Sequence, residues 1–395
     1  MTIIPFFFLT VGAINWGYAY PLVFLFVVLL RQNLLGKKVY LKFLYSPSFW
    51  LLLCAGLTYA LIGERTITAI YHNGILPVVA FVIGWIIAEE SPDELIRDGI
   101  LALTAGFGVY AALNMFINSG NNRYKLIDFW TGSYRAATGS GILNTLMVST
   151  IPYTVKFEKR LPVKLFFSIL LVLDIRYMFM LGTRTQFFIL LLMTIFATIQ
   201  FSYSRYGFAG VLKCIVVITV IIIAAILVYN FNVLSVRDYI LRTNLAARYV
   251  ERASLEKSDS FRFHSFWRGL HDLFIYPLGR HRGQIYYHNM WLDVGRVSGI
   301  IPFATLLMYS VRNLKNVIVI WNGEKIIPAL RYLLLFAYMG VYANFFVEPI
   351  WEGGLNLFLA MCVIDGMTNA MTRRIQNERN SEKGISAVPN ICADL

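Results

Sequence analysis

Residues Ile215–Tyr229 read IVVITVIIIAAILVY, a run without one charged side chain. Before it, Leu165–Leu181 reads LFFSILLVLDIRYMFML, in which only Asp174 and Arg176 carry charge. A surface helix of a soluble protein confines its apolar residues to one stripe, at i, i+3, i+4 and i+7, because its other face meets water. Apolar on every side, these blocks are expected to meet lipid, and about 20 such residues suffice to cross a bilayer. They decide the fold class: all-α, integral to a membrane.

The rest of the chain agrees. Of 395 residues, 58% are hydrophobic and 14% charged, against roughly a quarter charged in an ordinary soluble domain. Spans are expected near 3–30, 48–63, 74–89, 96–117, 138–155, 162–181, 185–203, 211–229, 289–311, 326–347 and 351–369, giving roughly eleven or twelve transmembrane helices. The first block is interrupted by Asn15, Gly17 and Pro21 and makes either one kinked helix or two short ones. The chain then divides into N-terminal spans (1–230), a large external loop (231–287), C-terminal spans (288–370) and a cytoplasmic tail (371–395) whose polar composition predicts disorder. Ile3–Leu9 comes without a basic leader or a small-residue cleavage site, so it is expected to be a retained membrane segment. Cys54, Cys214 and Cys362 lie in apolar blocks and Cys392 in the polar tail, a spacing that makes neither a disulfide framework nor a metal site.

The formal charge of +13 does not point to nucleic acid, because the cations sit in short connectors, as the positive-inside rule requires. Arg31, Lys37, Lys38 and Lys42 mark one cytoplasmic connector, and Lys156, Lys159, Arg160 and Lys164 another. Counting spans onward places Arg312, Lys315, Arg373, Arg374 and Arg379 on the same side. One acidic connector, with Glu89, Glu90, Asp93 and Glu94, falls there against the trend. The count leaves 231–287 outside, with nine cations (Arg237, Arg242, Arg248, Arg252, Lys257, Arg262, Arg268, Arg280, Arg282) against five acids (Asp238, Glu251, Glu256, Asp259, Asp272). Such an excess suits an anionic partner. Within the loop, Phe263, Phe266, Trp267, Leu270 and Phe274 make one apolar stripe on a helix, suited to capping the bundle or lying on the membrane surface.

Three groups of residues fall on that outer side. Gly182, Thr183, Arg184, Thr185 and Gln186 join two spans almost without a loop, which sets Arg184 at the membrane boundary. A guanidinium there either anchors a helix end or grips phosphate oxygens bidentately. Arg262 and Arg268 lie on the amphipathic helix with His264 and His271, either as a solvated face or as further phosphate contacts. Tyr287, His288 and Asn289 lead into a span holding Asp293 and Arg296, which are spaced i, i+3 and can pair. An imidazole changes protonation near neutral pH, so His288 at this boundary is either an interfacial side chain or a general base that accepts a proton from a sugar hydroxyl. Asp174 and Arg176, mid-span, are expected to compensate charge within the bundle, and Glu348 and Glu352 flank Pro349 at an outer connector within reach of sugar hydroxyls. No phosphate-binding loop, dinucleotide fingerprint, serine-hydrolase elbow or zinc spacing occurs.

These residues resemble the O-antigen polymerase and O-antigen ligase superfamily. The likeness rests on Gly182, Thr183 and Arg184 at the outer start of a span. It rests also on the ordered series Ser260, Arg262, Trp267, Pro277, Leu278, Gly279, His288, Asn289, Leu292, Gly295 and Gly299, and it covers roughly 180–311. The chain departs from the pattern after Gly279, where Arg280, His281 and Arg282 replace small residues. The resemblance implies a fold like that of the type C glycosyltransferases in a bacterial inner membrane, with the active site facing the periplasm. It implies inverting transfer of a growing glycan from undecaprenyl pyrophosphate to a lipid-linked oligosaccharide, without metal or cofactor. His288 would be the base, Arg184, Arg262 and Arg268 the pyrophosphate clamp, and Tyr287, Asn289, Asp293, Arg296 and Glu348 the sugar-binding or supporting residues. A chain-length regulator is the implied protein partner and membrane lipid the surroundings; nucleic acid is not expected. Two alternatives stay open: a ligase that moves the glycan onto lipid A core, and a flippase or transporter, which would line a route through the membrane with its charges.

Overall fold

The computed structural model describes residues 3–12, 20–34, 41–89, 91–120, 125–247, 258–279 and 286–382, with backbone alone at 3, 31, 64, 258–263, 352 and 382. Among the described residues every regular element is helical, apart from one bridge between Ile127 and Tyr134. The first apolar block makes two helices, α1 (Ile3–Val11) and α2 (Tyr20–Leu34). They lie side by side, with Tyr20 Oη donating to the Pro5 carbonyl at 2.9 Å and Phe6 edge-on to Phe24. Pro21 occupies the first turn of α2, where a missing N–H costs no hydrogen bond. Asn15 and Gly17 lie outside the described residues.

Next come α3 (Pro47–Thr58) and α4 (Ile67–Ala69), and α4 passes through π-helical turns into α5 (Leu76–Glu89). Among the described residues, four helical stretches are long and apolar enough to cross a membrane by themselves: Ile67–Glu89, α6 (Asp93–Ile117), α10 (Arg184–Asn230) and Leu355–Ser381. The other expected spans coincide with helices that are shorter or more charged, including α9 (Leu161–Leu181), which holds Lys164, Asp174 and Arg176. The chain is therefore an all-α membrane protein.

The two expected spans 185–203 and 211–229 form the single element α10, broken at Gly207 (φ 59°, ψ −149°). A side-chain carbon at Gly210 would collide with the Ser202 carbonyl, although a straight helix separates positions eight apart by about 12 Å. The chain therefore doubles back at Gly207 into two antiparallel arms. The second arm is apolar and almost entirely exposed within the protein, a surface that suits lipid.

The central contact is between α5 and α17 (Leu355–Glu382). Gly84 lies on the Val363 carbonyl, and Gly366 lies on the Phe81 carbonyl. Paired glycines let the two backbones touch, which is how helices associate where water supplies no driving force. Beyond Arg373 the expected irregular tail continues α17 as far as Glu382. Met371 and Ile375 are buried there, Arg373 donates to the Lys42 carbonyl at 2.8 Å, and Arg374 pairs with Asp93. Residues 383–395 lie outside the described residues.

The connectors expected on one side gather at one end of the bundle. Lys42 meets Glu89 at 2.8 Å, and Arg160 meets Asp98 at 2.8 Å. In the acidic connector that ran against the charge trend, Glu89 and Asp93 are thus paired with basic neighbours, and Glu90 lies outside the described residues. Arg160 precedes α9 and Gly182 ends it, so Gly182 lies about 30 Å away at the other end. Asp174, on the same helix, is buried and accepts from Asn144, whereas Arg176 is exposed. Asp174 therefore faces the bundle, whereas Arg176, two residues on and nearly opposite on the helix, faces away from it. Cys54, Cys214 and Cys362 are unpaired, and Cys392 lies outside the described residues.

Candidate functional site

At the Gly182 end, four separate pieces of chain converge. The first is the start of α10, where Arg184 is partly buried. A helix start presents backbone N–H groups and a partial positive charge, and a guanidinium in the same turn adds to its attraction for anions. Asn244, from the segment after α10, covers this turn by donating to the Met180 carbonyl at 2.6 Å.

The second piece follows α15 (Pro328–Phe345), where Glu348 is buried. Thr185 Oγ1, one residue past Arg184, donates to Glu348 Oε1 at 3.3 Å. On its other side, Glu348 Oε2 stands 3.9 Å from His288 Nδ1. One carboxylate therefore joins segments distant in sequence. Glu352 has its side chain outside the described residues.

The third piece, Tyr286–Asn289, precedes α13 (Met290–Ser298). His288 has a positive φ of 54°, unfavourable for any residue with a side chain, so the surroundings must impose it. Asp293 does so: its carboxylate accepts from the backbone N–H of Tyr287 at 2.8 Å and of Asn289 at 3.1 Å. The two bonds bracket His288. Asn289 caps α13 by accepting from the Leu292 N–H at 3.1 Å, and its amide reaches the Phe346 carbonyl at 3.4 Å, two residues before Glu348. Arg296 approaches Asp293 at 3.4 Å, as the i, i+3 spacing predicted, and lies over the Tyr286 ring at 5.1 Å. Asp293 and Arg296 are buried and shape the loop from behind.

The fourth piece is α12 (Ser258–Ile275) with the turn that follows it. Part of the expected stripe packs here: Phe266 and Leu270 lie against the cluster of Leu273, Tyr287 and Leu292, whereas Trp267 and Phe274 are exposed, Ser265 and Gly269 are buried instead, and the Phe263 side chain lies outside the described residues. The ring of Tyr287 packs on Gly269, and its hydroxyl bonds Asp272. A larger residue at 269 would push that ring away, so small size outweighs apolar character there. Pro277–Gly279 then docks where α13 breaks before α14 (Ile300–Trp321), with the Ile300 N–H donating to the Pro277 carbonyl at 2.9 Å. Gly279 (φ 86°) and Gly299 (φ 90°) lie back to back at this crossing, which leaves neither room nor a suitable backbone for a side chain.

The structure thus brings Tyr287, His288, Asn289, Asp293, Arg296 and Glu348 together beside the turn that begins with Arg184. Arg268 stands apart on the exposed face of α12, its Nε 3.9 Å from Asp272. Arg262 lies nearer the start of that helix, with its side chain outside the described residues, as are Arg280, His281 and Arg282. Two roles escaped the sequence reading: Thr185 as the partner of Glu348, and Asp293 as the clamp on His288. An acid in the first turn after an Asn cap was the available signal for Asp293. Among the described residues no group of three or more His, Cys, Asp or Glu is arranged to hold a metal.

Chemically, the arrangement offers an imidazole backed by a carboxylate, next to a helix start that carries a guanidinium. His288 Nδ1 is buried toward Glu348 while the side chain is 29% exposed, which leaves Nε2 for a substrate. Neither a scan against models of known protein families nor a search of curated proteins finds a match to this chain.

Proposed function

We propose that the protein is a polysaccharide polymerase that acts on the outer face of a bacterial inner membrane. The observation that carries the reading is Glu348 reaching both His288 and Thr185, which sets a candidate base beside the cationic start of α10. An acceptor sugar hydroxyl loses its proton to His288 Nε2 as its oxygen attacks the anomeric carbon of the donor glycan from the face opposite the pyrophosphate. The bond from that carbon to the pyrophosphate oxygen breaks, the configuration inverts, and undecaprenyl pyrophosphate departs with the electron pair. Glu348 stabilises the imidazolium, and Arg184 at the start of α10 balances charge developing on the leaving group. Tyr287, Asn289, Asp293 and Arg296 hold the base in place. The gathering of basic connectors at the far end supports the outward orientation of this site.

The test is reconstitution of the full chain in vesicles with a defined undecaprenyl-pyrophosphate-linked repeat unit. Longer lipid-linked glycans are expected, and His288→Ala and Arg184→Ala should each lower the rate on the order of a hundredfold or more. Retention of activity in both variants overturns the assignment. Product appearing only after lipid A core is supplied identifies a ligase instead.

A further inference from the structure

At the end of the bundle opposite His288, a cleft of about 530 Å³ opens between α8 (Thr145–Phe157), α9 and the first arm of α10. Its size suits a small-molecule headgroup. Lys156 from the last turn of α8 and Lys164 from the first turn of α9 line it, with Val155, Thr194, Thr198 and Phe201. The Lys156 ammonium lies 4.6 Å from the centre of the Phe201 ring, which fixes its position without neutralising it. Among the described residues no carboxylate lies within ion-pair distance of Lys156 or Lys164. The nearby acids are engaged elsewhere: Asp98 and Glu158 both bond the Arg160 guanidinium. Thr194 and Thr198 direct their hydroxyls back to carbonyls of their own helix. The cleft therefore offers two ammonium groups as donors over an apolar floor. Lys164 stands about 27 Å from Gly182 along α9, at the level where lipid headgroups meet the hydrocarbon core.

We propose that this cleft binds the phosphate of an anionic phospholipid from the leaflet at that end, held between Lys156 and Lys164 with its glycerol and upper acyl carbons on Val155 and Phe201. Two unneutralised cations at headgroup depth, beside apolar side chains, match an anionic head joined to an apolar tail. Free phosphate shares the head and lacks the tail.

The test uses the full chain in phosphatidylcholine bilayers containing a minor fraction of phosphatidylglycerol, with retained lipid read by native mass spectrometry. Phosphatidylglycerol should be retained over phosphatidylcholine, and Lys156→Gln combined with Lys164→Gln should lower that retention roughly 30-fold. The Lys156→Arg, Lys164→Arg pair should keep it. Should the double glutamine variant fail to fold, each single variant should show a loss of roughly fivefold. Equal retention of the two lipids by the wild type, or undiminished retention by the glutamine variants, overturns the proposal. So does displacement of the lipid by millimolar inorganic phosphate, which would make the cleft a site for the free ion.

Discussion

The left-handed backbone at His288 gives a test that needs no substrate. Its φ of 54° costs an L-residue about 1–2 kcal/mol, whereas glycine adopts it without that cost. His288→Ala and His288→Gly both delete the imidazole and its approach to Glu348, so the difference between them isolates the backbone. In ordinary elements glycine is the worse residue by roughly 0.5–1 kcal/mol, because it loses more freedom on folding. At 288 the strain relieved exceeds that entropy, and the glycine variant should be the more stable by up to about 1 kcal/mol. In a chain of this length that moves a melting temperature by about 2 °C or less, so equilibrium unfolding in mixed micelles is the better assay. Both variants should be equally inactive in glycan synthesis. If His288→Ala is instead the more stable by the usual margin, the residue is not left-handed and the account of the Asp293 clamp fails with it.

Further outcomes follow from other sites. Glu348→Gln keeps the shape of the side chain and its bond from Thr185 but removes the charge facing His288; turnover should fall on the order of a hundredfold with little change in unfolding midpoint. Asp128, outside the spans, is held below the usual carboxylate range: burial alone would raise it, but hydrogen bonds from Tyr110, the Thr131 N–H and Arg135 outweigh burial. A lowered native value means that its stabilisation is complete above the unfolded value of about 4 and is lost as pH falls through the native value. Asp128→Asn should therefore be less stable than wild type at pH 7 and should flatten the loss below about pH 4, as measured by acid unfolding in detergent. Gly84→Leu forces a side chain into the Val363 backbone; an overpacking cost of about 3 kcal/mol or more should abolish recovery of monodisperse protein on size-exclusion chromatography.

The membrane character was legible because it depends on composition, and a block such as Ile215–Tyr229 leaves no other solvent. The turn inside α10 was harder to read: Tyr203–Gly207 looks like a connector between spans, yet helix continues up to Gly207 and one residue takes the whole reversal. The tail misled for a different reason. Arg373 and Arg374 are polar, but a carbonyl and a carboxylate of other segments await them, and no local pattern displays a partner elsewhere in the chain. The candidate site divides along the same line. His288, Asn289 and Arg184 stand out as polar groups at span boundaries, whereas the approach of Glu348 to both Thr185 and His288 is a long-range fact. The stripe on α12 was legible in part: Phe266 and Leu270 pack against Leu273 and Tyr287, whereas Trp267 and Phe274 face outward because small residues lie under the Tyr287 ring.

The second arm of α10 touches so little protein that evolution can rewrite it freely. Almost any apolar residue serves at 215–229, since a lipid tail accepts every shape alike, and random substitution there should be tolerated provided no charge is introduced. α5 and α17 face the opposite regime, because Gly84 and Gly366 leave no slack for even a methyl group. Descendants of this sequence should therefore diverge fastest in the residues that announce the membrane most loudly, and slowest in quiet glycines that announce nothing.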